Sequence, residues 1–270
     1  MIALSQPVEG FTKLGKFSFH HVQWGQRGKN VVLLHSMSVD AHSMDLLAES
    51  LAASHRVLAL TILGHGDSTV PAEPVSLPDH ADLLFACVRK LGSTPCVLVG
   101  HSVGGRLGMI MAAGHPQEVK GLVLVDIAPP DPVPRPYAQQ TPGPFKGMAE
   151  AAAYLRQRYP RFTQYYVDNR LRYGFVQRPD GSLVAKPSGN DYMRDMSTDL
   201  WPYVEKIRAP TLLILGSEST LVTPEKRERM SKMIPRFESV TVQGATHMVP
   251  QDKPDEFEEA VLGFLGRIGW

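Results

Sequence analysis

The chain has 270 residues, 43% apolar and 20% charged, with a formal net charge of +1. That length carries one large domain, or one domain with an insertion, and the balanced charge gives no reason to expect nucleic acid or an anionic membrane as a partner. No run approaches the ~18 uninterrupted apolar residues of a membrane span, the first residues do not read as a secretory signal, and the two cysteines, Cys87 and Cys96, form neither a disulfide framework nor a metal-ligand pattern. Free thiols and a cytoplasmic setting are the expectation.

In chain order, short apolar runs alternate with helix-like stretches. Phe17–Trp24 alternates like an early strand, and Val31–His35 is a short buried-type run. Ser43–Ser54 places Met44, Leu47 and Leu51 on one helical face. Arg56–Ile62 reads as a strand, Pro78–Leu91 as a helix, Cys96–Gly100 as a strand and Gly104–Gly114 as a helix. Gly121–Asp126, Thr211–Gly216 and Glu238–Val242 repeat the strand pattern, and Pro254–Ile268 is a closing amphipathic helix. Aliphatic runs without polar alternation suit strands covered on both faces, and their alternation with helices predicts a mostly parallel sheet with helices on both sides. Residues 128–203 break this rhythm with a proline-rich linker followed by helical, aromatic sequence. They are expected to be a cap inserted between core segments 1–127 and 204–270.

Four motifs carry chemistry. Gly100-His101-Ser102-Val103-Gly104 is a G-x-S-x-G placed between a strand and a helix. That context is a nucleophile elbow, whose sharp turn exposes the serine hydroxyl, with glycines where side chains would collide. His35-Ser36-Met37 ends an earlier strand, where the Met37 N–H can pair with that of Val103 to hold an oxyanion. Leu63-Gly64-His65-Gly66-Asp67-Ser68 reads as turn chemistry and packing. Gly244-Ala245-Thr246-His247-Met248 places a histidine between the last strand and the last helix. A serine hydroxyl needs such a base near neutral pH.

Together these motifs resemble the α/β-hydrolase superfamily over nearly the whole chain. The resemblance implies a mostly parallel eight-stranded sheet, a helical cap after the sixth strand, and a cofactor-free triad with Ser102 as nucleophile and His247 as general base. It implies no metal. The acid departs from the commonest pattern. Many members carry an aspartate three residues after the glycine ending the seventh strand, and here Ser219 stands there, in Gly216-Ser217-Glu218-Ser219-Thr220-Leu221-Val222. Asp126, in Asp126-Ile127-Ala128-Pro129 at the end of the sixth strand, is the expected acid, and Glu218 is the alternative. The Asp126-Ile127-Ala128-Pro129 segment resembles that of small esterases with their acid after the sixth strand, and the whole arrangement is similar to that of (E)-2-(acetamidomethylene)succinate hydrolases, which share the stretches around Gly216–Val222, Arg172-Tyr173-Gly174 and Gly244–Val249.

Residues 131–200 hold ten Lys/Arg against seven Asp/Glu and are dense in aromatics. Most of these arginines read as solvated helix faces. If one reaches a substrate carboxylate, Arg172 is the choice, with Met37, Met248 and Ser36 as further pocket residues. The predicted activity is hydrolysis of an ester, lactone or activated amide of a small molecule through an acyl-enzyme. C–C bond hydrolysis, cofactor-free oxygenase or lyase chemistry on the same triad, and a weakly catalytic ligand sensor remain alternatives. No nucleic acid or membrane partner is expected, and a homodimer is left open.

Overall fold

In the computed structural model, which describes residues 6–130, 143–188 and 198–270, the aliphatic runs form a central sheet. Its strands are β1 (Val8–Leu14), β2 (Phe17–Trp24), β3 (Asn30–Leu34), β4 (Arg56–Leu60), β5 (Cys96–His101), β6 (Val119–Val125), β9 (Thr211–Gly216) and β10 (Phe237–Val242), with β7 (Phe175–Gln177) and β8 (Leu183–Ala185) forming a separate hairpin. The order across the eight-stranded sheet is β1-β2-β4-β3-β5-β6-β9-β10. β2 pairs antiparallel with both β1 and β4, and every later pairing is parallel.

The unalternating composition of the middle strands follows from burial on both sides. All five residues of β3 are buried. Val32 and Leu34 enter one apolar layer, with α2 (Leu77–Lys90) and α3 (Val103–Gly114). Val31 and Leu33 enter the other, with α1 (Asp45–Leu51) and the final helix, α9 (Pro254–Arg267). Truncating a fully buried leucine such as Leu33 to alanine would cost about 2–5 kcal/mol. The expected helix Ser43–Ser54 starts instead as a 3₁₀ turn, Ala41–Met44, because the Asp40 side chain caps it by accepting from the His42 N–H. Ser76 caps α2 in the same way through the Asp79 N–H.

Between β6 and β9 lie α4 (Met148–Arg158), α5 (Gln164–Tyr173), the β7–β8 hairpin and the short α6 (Trp201–Val204). α4, α5 and the hairpin share a small apolar cluster of their own, built on Phe145, Leu155, Val167, Phe175 and Leu183. The cap is therefore not purely helical. Of the proline-rich linker at residues 128–137, all but the first three residues lie outside the described residues. Leu200 and Val204 already pack in the core layer. The chain is completed by α7 (Pro224–Met233) and the short α8 (Val249–Asp252) just before α9. Cys87 and Cys96 are both free and buried, and burial pushes their thiols up to about 12.

Candidate active site

Ser102 stands between β5 and α3 with φ 53° and ψ −114°. An L-residue with positive φ is strained, and here the strain lifts the half-exposed hydroxyl off the end of a buried strand. The turn can be this tight because its flanks lack side chains. A Cβ on Gly104 would overlap the Leu34 carbonyl, and one on Gly100 would meet the Gly104 backbone.

Asp126 follows β6, also with positive φ, 47°. Its side chain is 1% exposed and its Oδ2 accepts the His247 Nδ1–H at 2.8 Å. The Gly216 N–H donates to the other carboxylate oxygen at 3.1 Å. Ser219, at the position where many α/β-hydrolases keep their acid, donates its hydroxyl to Asp126 Oδ2. Burial alone would push the Asp126 carboxyl upward, but the hydrogen bonds from His247, Ser219 and Gly216 outweigh it and hold the group below the usual carboxylate range. Gly216 has a second use. A Cβ there would strike the Thr246 carbonyl, so only glycine lets the histidine loop approach β9 this closely.

Since Asp126 accepts from Nδ1, the neutral His247 imidazole keeps its lone pair on Nε2. That loop is fixed on two sides. Thr246 donates its N–H to Asp252 at 2.8 Å. His101, fully buried in the elbow motif, donates Nε2–H to the His247 carbonyl at 2.8 Å. Burial, with His247 nearby, pushes His101 down to about 3, so it stays neutral. His35 supports the opposite loop. Its Nε2 accepts the Ile62 N–H at 2.9 Å, so its Nδ1–H donates to the Ser36 carbonyl at 2.6 Å.

Ser102 and His247 line one cavity of about 360 Å³, together with Ser36, Met37, Met248 and Asp252 from the core and Arg158, Tyr159, Pro160 and Arg161 from the cap. No hydrogen bond joins the Ser102 hydroxyl to His247 among the described residues, as is common before substrate closes a site. Val103 is the first residue of α3, where N–H groups lack intrahelical acceptors.

Two sequence expectations fall elsewhere. Arg172 is exposed, with its guanidinium 5.0 Å from the Tyr173 ring centroid, and is not among the cavity-lining residues. It sits on the outward side of α5, while the arginines at the cavity, Arg158 and Arg161, come from the end of α4 and the turn after it. Glu218 is exposed and paired with Arg161, not with His247. The Leu63–Ser68 turn packs as expected and also receives the cap: the Gly66 N–H donates to the Pro187 carbonyl at 3.0 Å, and Lys186 pairs with Asp67.

The alpha/beta hydrolase family matches residues 31–260. The chain belongs to that family. Its relatives include the sn-1-specific diacylglycerol lipase ABHD11 of Mus musculus, 30% identical with 87% of this chain and 80% of that protein covered. Another is the 2-(acetamidomethylene)succinate hydrolase of Mesorhizobium japonicum, 26% identical with 88% of both chains covered. The crystal structure of E-2-(acetamidomethylene)succinate hydrolase superposes with a TM-score of 0.85 at 24% identity, over 97% of this chain and 100% of that one, a likeness of fold. This α/β-hydrolase is an enzyme of the hydrolytic kind.

Proposed function

We propose that this α/β-hydrolase is a cofactor-independent serine hydrolase that cleaves an ester, lactone or activated amide of a small, carboxylate-bearing molecule through an acyl-enzyme. The observation that carries the reading is the 2.8 Å Asp126–His247 hydrogen bond beside the Ser102 elbow in a shared cavity. His247 Nε2 takes the Ser102 proton as the hydroxyl attacks the carbonyl carbon. Asp126 holds the ring in the tautomer that permits this and stabilises the imidazolium formed. The Met37 and Val103 N–H groups take up the charge on the carbonyl oxygen, and loss of one such donor costs about 10²–10³ in turnover. His247 then protonates the leaving group and activates the water that releases the acyl group.

Arg158 lines the cavity with its guanidinium over the Tyr159 ring and favours an anionic group on the substrate, whereas Arg161 is paired with Glu218. Two buried free thiols fit a reducing, cytoplasmic setting. No helix among the described residues is long and apolar enough to cross a membrane.

The test is a panel of short p-nitrophenyl esters and carboxylate-bearing amides, with mass spectrometry of the protein during turnover. The expected result is hydrolysis with an acyl group trapped on Ser102. Turnover that persists in Ser102→Ala, with no adduct at any time, would overturn the reading.

A further inference from the structure

At the sheet edge opposite β10, three side chains converge that the proposed reaction does not use. Glu9 on β1, His20 on β2 and His42 in the 3₁₀ turn each present one donor atom, all within 4.8 Å of one another. The strand register brings the first two together. His20 pairs with Phe11 and Glu9 with Val22, so Glu9 and His20 project from the same face on a diagonal. Both imidazoles are buried, while the Glu9 side chain is 55% exposed.

The spacing is the informative part. His20 Nε2 lies 3.7 Å from one Glu9 oxygen and His42 Nε2 lies 3.5 Å from the other. These gaps are too long for hydrogen bonds. They are close to the ~3.3–3.4 Å edge that tetrahedral geometry gives ligand atoms about 2.0–2.1 Å from a shared ion. The far side of each ring is already engaged. His42 Nδ1 bonds the Asp45 carboxylate at 3.0 and 3.2 Å, and His20 Nδ1 bonds Thr61 Oγ1 at 2.9 Å. A carboxylate behind a histidine is the support that metal-ligating imidazoles usually have, because it fixes the ring and leaves Nε2 as the donor.

We propose that Glu9, His20 and His42 form a binding site for a divalent transition-metal ion of the zinc class, separate from the Ser102 cavity. Two imidazoles and one carboxylate suit that class better than calcium or magnesium, which prefer oxygen donors. The exposed side at Glu9 leaves room for water in the remaining position. The ion ties β1 and β2 to the 3₁₀ turn. That turn also carries the cap, since the Tyr173 ring stacks on His42 with centroids 3.5 Å apart and Asn169 donates to the His42 carbonyl at 3.1 Å.

The test uses the full chain stripped with EDTA and titrated with zinc chloride by calorimetry, with thermal melts alongside. Wild-type protein should bind one equivalent at this site and melt about 5 °C or more higher when zinc is in hundredfold excess over its dissociation constant. Glu9→Gln keeps the shape of an exposed side chain. It should weaken that binding tenfold or more, cut the melting shift at the same zinc concentration to about half or less, and leave ester turnover in EDTA unchanged. His20→Gln should lose the same equivalent. Absence of zinc binding by the wild type would overturn the proposal. So would equal affinity in wild type and Glu9→Gln, because the metal would then be held elsewhere.

Discussion

The loops bearing Ser102, Asp126 and His247 and the cap that covers them are held by different forces. Those loops and the ones beside them are fixed largely by buried hydrogen bonds, to the Asp126 and Asp252 carboxylates and to neutral imidazoles. His35 spans the Ser36 carbonyl and the Ile62 N–H, His80 accepts the Leu63 N–H at 3.1 Å, and His101 holds the His247 carbonyl. The cap is tied down largely by charge: Arg161 to Glu218, Lys186 to Asp67, and Arg170 to Asp40 and the Ser38 carbonyl. Buried neutral hydrogen bonds are insensitive to salt and hold one geometry, whereas partly exposed ion pairs are weak and screened. The contrast sets loops fixed by buried hydrogen bonds beneath a cap whose ion pairs are sensitive to salt.

The contrast breaks first at the nucleophile. Ser102→Ala should lower kcat on the order of 10⁶, as loss of a triad serine does, with no effect on cap docking. A residual rate within a hundredfold of wild type, measured on any substrate the enzyme turns over, would remove the serine from the chemistry.

Acid should damage the core scaffold before neutral salt does. Burial pushes His35, His65, His80 and His101 down to about 3. In the unfolded chain they titrate near 6.5. Unfolding therefore takes up protons between these values. The stability from keeping the rings neutral is complete above about pH 6.5 and is lost as pH falls toward 3, at about 2 kcal/mol per histidine by pH 5. Melting curves from pH 7.5 to 4.5 should show a steep decline that 1 M NaCl does not reproduce. A flat profile would mean that these rings are not buried as neutral groups.

Ser219→Ala should cost about tenfold in kcat, the worth of one hydrogen bond to a charged group, and Ser219→Thr should restore most of it. Asp126 is held below its usual range, so the stability it contributes is present above its unfolded value and disappears as pH falls through the folded one. Removing the Ser219 hydroxyl raises the folded value and shrinks that contribution. Equal loss in the alanine and threonine variants would mean that packing, not the hydroxyl, matters here.

The smallest effect belongs to the cap. Lys186→Ala removes one tie to Asp67 and should raise KM less than about fivefold at unchanged kcat, and 1 M NaCl should do the same to the wild type. A larger fall in kcat would show that the cap positions the reacting groups.

The same division explains what was legible in the sequence. The unalternating strands from Val31 to Ile214 announce burial on both faces, and the elbow is readable because its glycines are forced by backbone contact. The pairing of a serine at position 219 with an aspartate after β6 could be read as a relocated acid. That Ser219 is itself a donor to that acid could not, because no local pattern encodes a contact between two strand ends. β1 is obscured by an exposed face and a glycine, and α7 buries only Met230, so neither offers an apolar stripe. Arg158 and Arg161 reach the cavity from the end of α4 and the turn after it, whereas Arg172 lies on the exposed side of α5. Which arginine faces inward depends on how the cap docks, and the docking contacts are long-range and polar.

The location of the acid is tested most directly by the rate at which a fluorophosphonate labels Ser102, followed by intact mass. Wild type and Glu218→Gln should label at the same rate, and Asp126→Asn should label on the order of 10³–10⁴ more slowly, as triads with a mis-set histidine tautomer do. Slow labelling in Glu218→Gln with an undiminished rate in Asp126→Asn would contradict the placement of the acid after β6.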